Sequence, residues 1–227
     1  WWESPDLKPL FTTIAPKVDC EFQQWAWTAF VHYMQKTGAD EHPLFLELPN
    51  PTELYEEKNP QTSAALRSIG KDALFLRPRL QKPGLVKPSS TSDDKLGSIT
   101  QAGSGGILVA ANSRVVYYSI HMNPVYYEFA KAHVGNTNYN KTAADQNFPI
   151  DSTVIKAAWM VADDPATLPQ GAYTTKATIQ LLENDPDHEG QLRPSEKTQS
   201  GVNVALVGVH VVGVVKDHPE FLWATFE

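Results

Sequence analysis

The chain has 227 residues, of which 41% are hydrophobic, 20% charged and 10% aromatic, and it carries a formal net charge of −7. That is the composition of a folded globular chain, long enough to bury roughly 70% of its unfolded surface without help from disulfides or metals. The negative balance speaks against nucleic acid, whose phosphates need clustered Lys and Arg, and the single cysteine, Cys20, excludes an internal disulfide and a multi-cysteine zinc site.

Residues 1–17, with Pro5, Pro9 and Pro16, read as an extended lead-in. The chain opens on Trp1 rather than Met, which either a removed signal peptide or a trimmed terminus explains; the expectation is a secreted or periplasmic protein. Asp19 is placed to cap a helix running to about residue 35. Within it Phe22, Trp25, Ala26, Ala29, Phe30, Tyr33 and Met34 recur at three and four residues as one apolar stripe. Thr37-Gly38 is its natural stop. A thiol at a helix start is open to activation, but filling space is the expected role of Cys20. From 38 to 60, prolines and acidic residues describe a surface loop. Asn59-Pro60 then signals a short helix over 60–69, closed by Gly70. Residues 81–105, rich in Pro, Ser, Asp and Gly, read as a long flexible loop.

The strand-rich part follows. Segments 107–111 and 115–122 flank Asn112-Ser113 as a hairpin, and Asn123-Pro124 signals a helix over 125–133. Strands are expected at 152–162, 172–182, 202–215 and 220–226, with a loop over 185–200 and a turn at Asp217-His218-Pro219. The expected fold is a single α+β domain over 1–227. Its core is a mostly antiparallel sheet, with the N-terminal amphipathic helix and two short helices packed on it. No stretch approaches the ~18 apolar residues of a transmembrane helix.

Alternation along the strands says which side chains share a face. Val204, Leu206, Gly208, His210, Val212 and Val214 point one way in a strand apolar on both faces, so a central, doubly covered strand is expected. His210 then sits in a dry layer, either as a hydrogen-bonded core histidine or as a general base at the mouth of a pocket. Lys156 shares a face with Val154, Ala158 and Met160. It either acts as a desolvated base or nucleophile, or it snorkels or pairs with a carboxylate such as Glu227. His121 ends a strand just before a capped helix start, a place that attracts anions, although turn chemistry alone also accounts for it. Tyr117, Tyr118, Tyr126 and Tyr127 crowd that region, where they either stack a sugar or aromatic ligand or pack against one another.

No cofactor or metal is expected. His42, His188 and His218 fall in separate loops, and the acidic run Glu183, Asp185, Asp187, Glu189 lacks the EF-hand spacing. Ser104 lies in a Gly-Ser-Gly-Gly that matches neither a nucleophile elbow nor a phosphate-binding loop. Asn140-Lys141-Thr142 is a glycosylation sequon.

Four stretches carry a resemblance: Phe-Gln-Gln-Trp-Ala-Trp-Thr-Ala-Phe at 22–30, Val-Ile-Lys-Ala-Ala-Trp at 154–159, Leu-Val-Gly-Val-His at 206–210, and Pro-Glu-Phe-Leu-Trp-Ala-Thr-Phe-Glu at 219–227. Together they resemble a loosely defined set of exported bacterial proteins, some of which carry a c-type haem segment after the equivalent of Glu227. The sequence contains no Cys-x-x-Cys-His, so the motif that would carry the redox role implied by the resemblance is not among these residues. The resemblance groups Lys156, Trp159, His210, Trp223 and Glu227.

Two functions are expected. One is an exported hydrolytic-type enzyme with His210, Lys156 and Glu227 catalytic and Trp159, Trp223, His121 and Tyr118 binding substrate. The other is a module without chemistry that presents Trp and Tyr to a glycan, a small molecule or a redox partner.

Overall fold

The structure, a computed structural model, describes residues 15–50, 74–78, 107–110, 112–133, 147–164, 166, 168, 170–186 and 192–227. The expected helix over 60–69, the loop over 81–105, the sequon at Asn140 and most of the lead-in lie outside the described residues.

Helix α1 spans Asp19–Tyr33 and buries Trp25, Ala26, Ala29 and Tyr33, the centre of the apolar stripe. Val18, not Asp19, is its N-cap. The Glu21 carboxylate turns back to accept the Val18 N–H at 3.3 Å, and Asp19 adds a second acid to the first turn, where the helix dipole favours negative charge. Cys20 lies exposed on this turn, so it fills no space in the core. A small antiparallel pair follows, β1 (Lys36–Thr37) and β2 (His42–Pro43), and then a 3₁₀ turn over Leu44–Glu47 that buries Phe45.

Among the described residues the main sheet has six strands: β3 (Phe75–Leu76), β4 (Val116–Met122), β5 (Thr153–Val161), β6 (Thr174–Asn184), β7 (Leu192–Val215) and β8 (His218–Phe226). The order is β3-β6-β7-β5-β4, with β8 also paired to β7. Both β6 and β8 run antiparallel to β7, whereas β3 and β6 are parallel, so the sheet is mixed. Helix α2, Pro124–His133, follows β4 directly. The fold is α+β.

Two boundaries differ from the sequence reading. Strand β7 begins at Leu192, so its first residues run in the ladder with β6 where a loop was expected. That stretch is polar and gives no hydrophobic signal. Two register shifts against β6 accommodate it, and the Gln180 side-chain amide donates to the Ser195 carbonyl at 2.9 Å. Strand β8 begins at His218, because the turn is the two residues Lys216-Asp217, with Asp217 in the left-handed region (φ 64°) and Val215 paired to His218. The hairpin at Asn112-Ser113 closes as a turn, and among the described residues it shows one isolated bridge, Val109 to Val115, before β4.

The chain divides into two compact units. One comprises Trp1–Lys58, Ile120–Lys156 and Val209–Glu227; the other comprises Asn59–Ser119 and Ala157–Gly208. In the first unit Trp25, Ala29, Phe45, Met122, Val211 and Val215 are buried. In the second, Leu76, Tyr118, Ala157, Trp159, Ile179 and Val204 are buried. Each large apolar side chain so buried contributes about 1.5–3 kcal/mol. No helix of the described residues is long and apolar enough to cross a membrane.

Candidate functional site

Among the described residues of the first unit, two polar regions bear on the candidate residues. The closed one lies where β4 ends and α2 begins. Asn123, buried, accepts the Tyr126 N–H and the Thr153 N–H, each at 3.0 Å, through Oδ1, and its Nδ2 donates to the Asp151 carbonyl at 2.6 Å. One side chain thereby caps α2 and fastens it to the start of β5, which is why Asn-Pro works here as a helix start. The Tyr33 hydroxyl, bonded to the side chains of Thr153 and Asn123, joins the C-terminal end of α1 to the same knot. Burial pushes the Tyr33 phenol up to about 12, partly offset by those hydrogen bonds.

His121 belongs to this closed region. It is buried, its ring lies edge-on to Phe45 at 5.1 Å, and its Nδ1–H donates to the Leu48 carbonyl at 3.3 Å. Burial depresses its pKa to about 4, against the smaller opposing pull of that carbonyl, so the ring is neutral at physiological pH. It faces no open helix end. Trp159 and Tyr118, in the second unit, are core residues too. Trp159 has no exposed surface, and its indole N–H donates to Ser119 Oγ at 2.9 Å; Tyr118 is 3% exposed and exchanges backbone hydrogen bonds with Arg77. His121, Trp159 and Tyr118 are therefore buried side chains rather than surface ones.

The open region lies on β7 and β8. Along β8, Leu222, Ala224 and Phe226 alternate with Phe221, Trp223, Thr225 and Glu227. Phe226 stacks on Phe30 of α1 at 4.1 Å, with Trp27 edge-on at 5.2 Å, so α1 covers the Phe226 face. Among the described residues the opposite face is covered at one end, where Phe221 meets Tyr126 and Phe148. Beyond that cover Trp223 is 66% exposed.

His210 sits on this second face. It is half-buried, lies directly across from Thr225, and its Nδ1 is 2.8 Å from the Thr225 hydroxyl. On the other side of β7, β5 runs antiparallel. The Val214 N–H donates to the Ser152 carbonyl at 2.9 Å, which carries Lys156 alongside His210. The consequence is electrostatic. Dehydration lowers the His210 pKa first and the Lys156 charge lowers it further, while the Glu227 carboxylate pulls weakly the other way. Lys156, itself partly dehydrated, is held below the usual lysine range.

The charges of Lys156 and Glu227 thus both act on His210. The layer around His210 is not dry, however; it opens to solvent at Trp223 and Thr225. Sequence reasoning missed Thr225. The two-residue turn at 216–217 alone would set His210 opposite Trp223; a register shift between Gly213 and Val215 moves the pairing to Thr225, and no side-chain pattern in the sequence marks that shift. No family model, no curated protein and no solved structure matches the chain.

Proposed function

We propose that this face of β5, β7 and β8 is a hydrolytic site in which His210 is the general base. The observation that carries the reading is the His210 ring, favoured in its neutral form beside a partly dehydrated ammonium and held by a hydroxyl at 2.8 Å. In this reading Nδ1–H donates to Thr225 Oγ1, and Nε2 takes the proton from an attacking water. Lys156 faces the negative charge that develops on the attacked carbonyl or phosphoryl oxygen. Glu227 tempers the field of Lys156 rather than orienting the ring, a task that falls to Thr225.

A depressed His210 pKa sets the pH dependence. The base is already competent below the ordinary histidine value near 6.5, so its loss falls on the acid side of it, and discharge of Lys156 sets the alkaline limit. A panel of activated esters, phosphoesters and aryl glycosides would be screened with the wild type, His210→Gln and Lys156→Met. Each substitution is expected to reduce turnover by roughly 10²-fold or more on any substrate that the wild type cleaves. Turnover left intact in both variants would remove the reading.

A second reading rests on Trp223, an exposed indole on the same face. Such a ring is suited to stacking a sugar or aromatic ligand without chemistry. Binding to a glycan array that is lost in Trp223→Ala, with no turnover on the panel, would select this reading over the first.

A further inference from the structure

A histidine elsewhere in the first unit bears on the same face. At the start of β8, His218 has both ring nitrogens engaged, and both partners are acceptors only. Nδ1 is 3.0 Å from Glu220 Oε1, and Nε2 is 2.6 Å from the Pro16 carbonyl. A neutral imidazole carries one N–H and would set a lone pair against one of those oxygens, so only the imidazolium satisfies both. The Pro16 contact joins residues 202 positions apart in the chain, and the Phe22 ring of α1 packs edge-on against the imidazole at 5.0 Å.

We propose that protonated His218 is a latch that fastens the end of the N-terminal lead-in and the start of α1 to the β7–β8 hairpin, and that its deprotonation as pH rises releases them. The hairpin bears Thr225 and Trp223, so the latch regulates the face assigned above to hydrolysis, and this consequence rests on that reading. The charged groups around the ring are few. The hairpin presents Glu220 and, at longer range, Asp217, both of which favour the cation. The lead-in presents the Pro16 carbonyl and α1 presents the uncharged Phe22. The first-turn acid Glu21 is turned to the backbone N–H groups of Lys17 and Val18. No cation faces the ring among these contacts.

The sign follows from the contacts. Glu220 and the Pro16 carbonyl raise the His218 pKa in the folded state, so the latch's stabilising share is complete below the unfolded value near 6.5 and is lost as pH rises through the folded value.

The test uses the whole chain and needs no substrate. Ring-nitrogen NMR of His218 should show both nitrogens protonated at about pH 6, with titration above 6.5. The wild-type urea midpoint should fall between about pH 6 and pH 9 relative to that of His218→Gln, which keeps a donor but cannot be charged. In Glu220→Gln, where the ring remains but the carboxylate is gone, titration should shift toward the ordinary value. His42 also has both ring nitrogens on carboxylates, Asp40 at 2.6 Å and Glu47 at 3.2 Å, so its own ring signals are followed separately. A His218 ring that titrates below 6.5, or equal pH slopes for the wild type and His218→Gln, would overturn the latch. A latch that behaves as described in a protein without turnover would instead count against the hydrolytic reading alone.

Discussion

The knot around Asn123 and the face around His210 are both polar regions of one unit, and they differ in who answers their hydrogen bonds. Asn123 and His121 bond backbone groups, the N–H of Tyr126 and Thr153 and the carbonyls of Asp151 and Leu48, and the Tyr33 hydroxyl joins them at Asn123. His210 is bonded to one exposed side chain, and beside it lies a lysine whose charge it feels. A polar group answered by backbone stabilises the fold, because removing it strands buried donors and acceptors that have no other recourse. A polar group answered by mobile side chains and solvent contributes little to stability and remains available for chemistry. The two histidines look alike in the sequence, each set among apolar neighbours on a strand. Their surroundings part them.

The sharpest way to break the contrast is Asn123→Ala. It removes the acceptor for the N–H groups of Tyr126 and Thr153 and the donor to the Asp151 carbonyl, and it uncaps α2. A loss of about 3–5 kcal/mol is expected in urea unfolding. A loss below about 1 kcal/mol would mean that the knot is not the structural member described here.

His121 gives the acid side of the same argument. Its folded pKa of about 4 lies below the unfolded value near 6.5, so its stabilising share is complete above 6.5 and is lost as pH falls toward 4. The span corresponds to at most about 3 kcal/mol. In His121→Gln this acid-side slope should flatten, with denaturant midpoints read across that range. The same variant should leave any turnover intact, since the ring faces Phe45 and not the open face.

The covered face of β7 offers a third, smaller test. A Cβ on Gly213 would lie 2.8 Å from Cζ2 of Trp25, a buried ring. Gly213→Ala should therefore cost about 1–3 kcal/mol through overpacking, an amount that calorimetry would register. Substitution of Thr225, on the open face, should stay within about 0.5 kcal/mol.

How much of this was legible beforehand follows from which signals are local. Asn123-Pro124 announces its helix because capping is a short-range matter of one side chain and the amides that follow it. The strand at 153–161 is likewise written in its alternation, and so is the shared face of Lys156 with Val154. The beginning of β7 is not, since a polar segment enters a ladder through backbone pairing with β6 that no side-chain pattern records. The burial of His121 and Trp159 was hidden for a related reason. It depends on Phe45 and Ser119, residues far from them in the chain. Thr225 was not legible as the partner of His210, because their pairing depends on a register shift between Gly213 and Val215 that no side-chain pattern marks.

The finest test of the contrast asks whether the open face behaves electrostatically as a unit. The Lys156 charge holds the His210 pKa down and Glu227 pulls it up, so the two single substitutions must move it in opposite directions. In Lys156→Met the ring should titrate higher than in the wild type, and in Glu227→Gln lower, both followed by the His210 ring protons in NMR. Each change in stability should stay within about 0.5 kcal/mol, because both groups lie at or near the surface. A His210 pKa unmoved by either substitution would leave dehydration as its only cause. Lys156 would then have no electrostatic hold on the proposed base, and the open face would be no more than three polar side chains on neighbouring strands.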